Sequence, residues 1–238
     1  MLSALLPPWL HGDGTKKLLE RIEDPDVRER AGRDIEEWRI DGWENVAGLF
    51  RWDNIVITNV NTSKNADMKG DTVEEIAIES DSASIDVVCD LLIKEEMDVS
   101  IEIHGMSEDD VQKIMANECV AISTDGIFGG NPHPRTYGTY PRVLAKYVHE
   151  LNFFSLEEAI RKMTSLPARP MVLTRKGLIR PEMDADLVVF DPDSVRDRST
   201  FEDPTRYSTG IHHVFVNGEF VVQDGELTEV LSGQILRA

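Results

Sequence analysis

The strongest constraint on the fold lies between Val99 and Gly126, where three patterns follow one another in fewer than thirty residues. Val99-Ser100-Ile101-Glu102-Ile103-His104 reads as a strand, Ser107 caps a helix through about Asn117, and Cys119-Val120-Ala121-Ile122 is a short apolar run closed by Ser123-Thr124-Asp125-Gly126. Strand, helix and strand in succession form the unit of parallel sheets and barrels. In such folds the reactive groups stand just past the carboxyl ends of strands, and Asp125 occupies such an end.

The flanking sequence is organised around this unit. Thr15 caps a short helix through Ile22, and Asp24-Pro25 is an N-cap followed by proline at the first helical position, with the pattern running to about Trp38. Asp53 to Val60 is β-branched and bounded by polar turn residues, hence a strand. Asp71 with Glu74, and Ser82 or Ser84 ahead of Ile85 to Ile93, mark two capped helices. Beyond the loop Gly129-Gly130-Asn131-Pro132-His133-Pro134-Arg135 two more helices follow, with Pro141 near the start of one and Ser155 with Glu158 boxing the other. From Gly177 the texture turns to strands: Ala185 to Asp191, then a hairpin from Val214 to Val222 around Asn217-Gly218. A boundary near Lys176 separates a βα part from a small β part.

Charge and cysteine usage narrow the function classes. With 25 basic against 44 acidic residues the net charge is −19, which argues against sequence-independent binding to nucleic acid or anionic lipid. Lys is the scarcer cation, 9 against 16 Arg, a balance that suits a high-salt cytoplasm as well as ordinary acidic proteins. No segment approaches the roughly eighteen consecutive apolar residues of a membrane span, and the start lacks a signal-peptide core. Cys89 and Cys119 make no C-x-x-C, so neither a disulfide framework nor a thiolate metal site is expected, and a reducing cytoplasm fits. Phosphate-binding glycine loops, G-x-S-x-G and H-E-x-x-H are absent from the sequence.

A carboxylate followed by glycine at a strand end can serve as a metal ligand or general base, or simply form an Asp-Gly turn. The loop ending in Arg135 either aims a guanidinium at a carboxylate or exposes a solvated arginine. His104 is a candidate ligand or a hydrogen-bonded structural histidine. His212 and His213 point to opposite faces of one strand, which argues against their sharing a site, and His11 and His149 are isolated.

The ordered blocks Ser107 to Val111, Thr124-Asp125-Gly126, His133-Pro134-Arg135-Thr136-Tyr137-Gly138-Thr139-Tyr140-Pro141-Arg142-Val143-Leu144, Leu156 to Ala168, Gly177 to Pro181 and Ala185 to Asp191 closely resemble the C-terminal half of the D-aminoacylases. These are N-acyl-D-amino-acid deacylases of the amidohydrolase superfamily. Thr200-Phe201, Gly210-Ile211 and Val216-Asn217-Gly218 continue the resemblance into the tail, and Leu6-Pro7-Pro8-Trp9 resembles the stretch ahead of the family's helical insertion.

The resemblance implies an α/β fold: residues 1–176 as the C-terminal portion of a metal-dependent hydrolase (β/α) barrel with a helical insertion, and residues 177–238 as part of a small β-sandwich. It implies Zn²⁺ as cofactor, Asp125 as the proton carrier and a candidate metal ligand, and Arg135 as the partner of the carboxylate of an N-acyl amino acid. The family's His-x-His and its other ligands have no counterpart here and are expected upstream, outside this chain. The chain therefore resembles half an enzyme, inactive alone, whose partners are the missing N-terminal half or further copies of itself, with neither nucleic acid nor membrane involved. Thr124, where relatives carry Ser, and Glu182, where many carry Gly, are lesser departures. Two alternatives stand beside this reading: a cyclic-amide hydrolase fragment of hydantoinase type, in which Arg135 would have no carboxylate to hold, and a non-catalytic chain that packs against a partner.

Overall fold

Asp24 and Pro25 open a helix as their chemistry dictates. In the computed structural model, which describes residues 1–128 and 132–236, the Asp24 carboxylate accepts the Asp26 N–H and Pro25 takes the first position of α2 (Pro25–Glu36). Helix α1 (Thr15–Ile22) precedes it with Gly14 rather than Thr15 at the N-cap, and α3 (Val46–Phe50) follows. Helix α4 (Val73–Glu79) begins one residue later than expected: Thr72, not Asp71, forms the reciprocal capping box, with Glu75. Helix α5 (Ser84–Lys94) has Ala83 at its N-cap, so neither Ser82 nor Ser84 caps it.

The chain divides into two compact units, Met1–Ser107 and Glu108–Ala238. In the first, strands β1 (Ile55–Val60) and β2 (Val99–Ile103) form an antiparallel pair. Their inner residues Ile55, Ile57, Val60 and Val99 join Leu2, Leu5, Ile22, Ile35 and the apolar face of α5 in one core.

The second unit contains α6 (Glu108–Ala116), α7 (Arg135–Arg142), a π-helical continuation Val143–Glu150, α8 (Leu156–Met163) and the short α9 (Ser165–Ala168). Pro141 falls at the end of α7 rather than at the start of a helix; it offers no N–H and its ring crowds the preceding turn, and the winding loosens just beyond it. Ser155 caps α8 as expected, accepting the Glu158 N–H, while the Glu158 carboxylate turns to Arg161. A four-stranded antiparallel sheet follows, β3 (Leu187–Phe190), β4 (Ile211–Val216), β5 (Glu219–Gln223) and β6 (Glu226–Leu227), in that order. Asn217 and Gly218, both at positive φ (51° and 83°), make the tight turn of the β4–β5 hairpin. Met115, Val143, Leu144, Tyr147, Ala159 and Val195 form the core of this unit.

One expectation is corrected. The strand–helix–strand reading made β2 and Cys119–Ile122 parallel neighbours, but β2 pairs antiparallel with β1, and Cys119–Ile122 is not a strand. Among the described residues every strand pairing is antiparallel. A buried parallel strand needs neighbours that take its backbone groups on both edges. Here Ile122 instead donates its N–H to the carbonyl of Lys162 at the end of α8, 3.0 Å away.

Candidate functional site

Asp125 and Arg135, ten residues apart in sequence, meet in the second unit. The Thr124-Asp125-Gly126 turn is drawn in by the Gly126 N–H, which donates to Thr124 Oγ1 at 3.2 Å. Asp125 lies in the left-handed region, φ 44°, which aspartate tolerates better than most residues. Gly126 suits the close approach: a Cβ there would stand a tight 3.2 Å from Thr136 Cα and 3.3 Å from its side chain. The turn thus packs on the first turn of α7, whose first residue is Arg135.

That helix start is held from several sides. His133 Nδ1 accepts the Arg135 N–H at 3.0 Å, and the Pro134 carbonyl accepts the Tyr137 and Gly138 N–H groups and the Ser199 hydroxyl. The His133 ring meets Phe201 edge-on, centroids 5.2 Å apart. From this base Arg135 reaches back: its Nη2 donates to Asp125 Oδ2 at 2.7 Å and its Nε donates to the Asp125 carbonyl at 3.1 Å. The pair is open to solvent, the Asp125 side chain being 81% exposed and that of Arg135 42%. Phe128 lies edge-on to Tyr137, and Tyr137 to Tyr207. Thr136 Oγ1 is buried with no hydrogen-bond partner among the described residues. Gly129, Gly130 and Asn131 of the same loop lie outside the described residues.

Lys162, which the sequence does not single out, braces the segment that leads to Asp125. It is 1% exposed, and its ammonium donates to the carbonyls of Asn117 (2.6 Å) and Val120 (3.0 Å), with Glu158 Oε1 at 3.7 Å and the Phe154 ring beneath it. A buried ammonium needs such partners. With the Lys162 carbonyl accepting from Ile122, the end of α8 grips both ends of the segment that leads to Asp125. The available signal was positional: Lys162 follows Ala159 by three residues on the buried face of α8.

The donor set does not fit a hydrolytic metal centre, which takes about three protein ligands. Among the described residues no three His, Cys, Asp or Glu side chains converge to hold an ion. Asp125 faces a guanidinium, itself a cation. His104 Nε2 pairs with Glu102 Oε1 at 2.6 Å within the first unit, and His213 Nδ1 accepts the Asp224 N–H at 3.1 Å. Burial pushes the Cys89 thiol up to about 12, leaving it protonated in the core, and Cys119 is exposed elsewhere.

The described residues thus combine helices and small sheets with an exposed carboxylate–guanidinium pair at the Asp125 turn. The sequence profile described as Amidohydrolase family matches residues 70–222, more than half of the chain, and the chain belongs to that family. The D-aminoacylase of Alcaligenes xylosoxydans xylosoxydans is 40% identical over 171 residues, which are 71% of this chain and 34% of that protein. A D-aminoacylase structure concerned with the functional role of its binuclear metal centre matches with a TM-score of 0.69 at 39% identity, over 77% of this chain and 37% of that one. The N-acyl-D-glutamate deacylase from Bordetella bronchiseptica, complexed with zinc and a phosphonate mimic of the tetrahedral intermediate, matches with a TM-score of 0.66 at 31% identity, over 86% of this chain and 46% of that one. The fold is thus that of the α/β amidohydrolases, and the chain spans about a third of the length of its D-aminoacylase relative.

Proposed function

We propose that this chain supplies the proton-transfer carboxylate and the substrate-carboxylate clamp of a metal-dependent amidohydrolase that cleaves the amide bond of N-acyl-D-amino acids. The observation that carries the reading is the contact of Asp125 with Arg135, 2.7 Å apart and inside the segment matched by the family. Amide hydrolysis needs a group that takes a proton from the attacking water and returns it to the departing nitrogen, since an amide anion is too basic to leave. Asp125, an accessible carboxylate on a turn braced by α7, suits that task. Arg135 offers the planar fork that matches a carboxylate. The zinc of the relatives would be held by donors other than those described here.

The element order, with the last helix ending at Ala168 and strands alone from Leu187 onward among the described residues, supports assigning residues 1–176 to a portion of the barrel with its helical insertion, and residues 177–238 to part of the β-sandwich. The test is complementation. The chain is purified alone and with the N-terminal two thirds of the Alcaligenes D-aminoacylase, and zinc content and release of D-methionine from N-acetyl-D-methionine are measured. The chain alone should hold less than stoichiometric zinc and release nothing. The pair should do both, and Asp125→Asn should lower turnover roughly 10²–10⁴-fold with zinc retained. A zinc-loaded pair that works equally well with Asp125→Asn would refute the assignment.

A further inference from the structure

Arg135 presents its Nε and Nη2 donors along one edge, and a carboxylate binds a guanidinium side-on across that edge. In this chain the edge is filled from a single residue: Asp125 offers its main-chain oxygen to Nε (3.1 Å) and a carboxylate oxygen to Nη2 (2.7 Å). Two oxygens from Asp125 thus occupy the places that the two oxygens of a ligand carboxylate would take. We infer that Asp125 and a substrate's carboxylate compete for Arg135, so that Arg135 latches the proton carrier until a carboxylate-bearing substrate displaces it. The inference rests on the functional reading above and adds a specificity rule to it. A ligand that lacks a carboxylate leaves Asp125 engaged, and discrimination against it falls on turnover as well as on binding.

Geometry and magnitude agree with a latch rather than a permanent brace. Both side chains are solvent-exposed, Asp125 at 81%, and exposed ion pairs are weak and readily exchanged. Displacement also frees the Asp125 carbonyl and lets a non-glycine residue leave the left-handed region. Because the ligand competes with an internal group, its apparent affinity is reduced by the fraction of molecules in which Arg135 is free. For a pair in the usual range of surface ion pairs that reduction is roughly two- to sixfold.

The experiment uses the whole chain at pH 7 and low salt, with N-acetyl-D-alanine and its carboxamide as probes in a calorimetric titration. Asp125→Asn and Asp125→Ala should each bind N-acetyl-D-alanine about two- to sixfold more tightly than the parent. The gain should be absent for the carboxamide and disappear when Arg135→Met is added. A gain that survives Arg135→Met would be a general effect of net charge and would overturn the latch. So would unchanged or weaker affinity in both Asp125 variants, including no binding by any of the chains. If binding in the Asp125→Asn background is indifferent to Arg135→Met, it is the clamp assigned above that fails. If Arg135 is needed but Asp125→Asn gains nothing, only the competition fails.

Discussion

A lysine normally reads as solvent-facing, and in the run Leu156 to Met163 only its spacing from Ala159 separates Lys162 from its neighbour Arg161. Its partners Asn117 and Val120 are 45 and 42 residues away, so the clamp exists only once α8 has docked. Charged hydrogen bonds contribute about 1.5–3 kcal/mol each, and a buried carbonyl left unpaired costs more than a pair removed together. Lys162→Met should therefore destabilise the second unit by roughly 3 kcal/mol. Hydrogen exchange over residues 117–125 should rise first; a change under about 0.5 kcal/mol, the scale of ordinary surface substitutions, would remove the clamp from the account. Asp125 and Arg135, by contrast, stand out in the sequence as candidates through the motifs around them, whereas their mutual contact does not, because it depends on the Gly126 turn packing on Thr136. In the complemented enzyme Arg135→Met should chiefly raise KM for N-acyl amino acids and do much less to their carboxamides; equal losses on both would make Arg135 structural.

Elements were legible where local chemistry decides them and shifted where tertiary contacts do. The start of α4 is an instance: Asp71-Glu74 and Thr72-Glu75 both have capping-box spacing. Strand β1 selects between them. Ile57 donates to the Asp71 carbonyl and accepts from Gly70, a turn residue at φ 98°, so the Asp71 carbonyl is taken by the strand and Thr72 is the first residue able to cap. The end of α5 carries a second device that sequence does not reveal. Glu95, 1% exposed, accepts from the N–H groups of Asn61 (2.7 Å) and Thr62 (2.6 Å), from the Thr62 hydroxyl and from Asn65. Burial pushes its carboxyl upward, but the hydrogen bonds from Thr62, Asn65 and Asn61 together outweigh it and hold the group below the ordinary glutamate range. A lowered carboxyl stabilises the folded form above the unfolded value, near 4.3, and that stabilisation is lost as pH falls through the folded value. All four tryptophans, 9, 38, 43 and 52, lie in the first unit and report its unfolding. Glu95→Gln should be less stable than the parent at pH 7 by tryptophan-monitored urea unfolding, with the gap narrowing below about pH 4.5. A gap independent of pH would show that the carboxylate charge is not what the cradle binds.

At the scale of the molecule the two units are unequally filled. Twenty-two buried apolar residues form the core of the first, against six in the second, among the described residues. The texture change near Lys176 precedes the run of strands that starts at Leu187, yet a linear reading cannot see that Val195, with Phe190 and Ile211 packed beside it, joins the core of Met115, Val143 and Leu144. The sheet β3–β6 is built of Leu187, Val188, Val189, Phe190, Phe215, Phe220 and Val222, and none of its described strand residues is fully buried. Sheets of this composition gain stability by packing one face on another layer. Val188 and Val189 are about half exposed, Ile127 and Phe128 lie open beside the Asp125 turn, and the outer edges of β3 and β6 have no strand partner among the described residues. We therefore expect the purified chain to self-associate through this surface as concentration rises, in spite of its net charge of −19. Raising salt should strengthen the association, because it screens the repulsion between copies and leaves apolar burial intact. Val188→Lys combined with Phe128→Ser should shift the mass measured by light scattering toward the monomer and lower binding of an apolar dye. A parent chain that stays monomeric from micromolar to millimolar concentration at high salt would show that these side chains, though accessible, do not form a sticky surface.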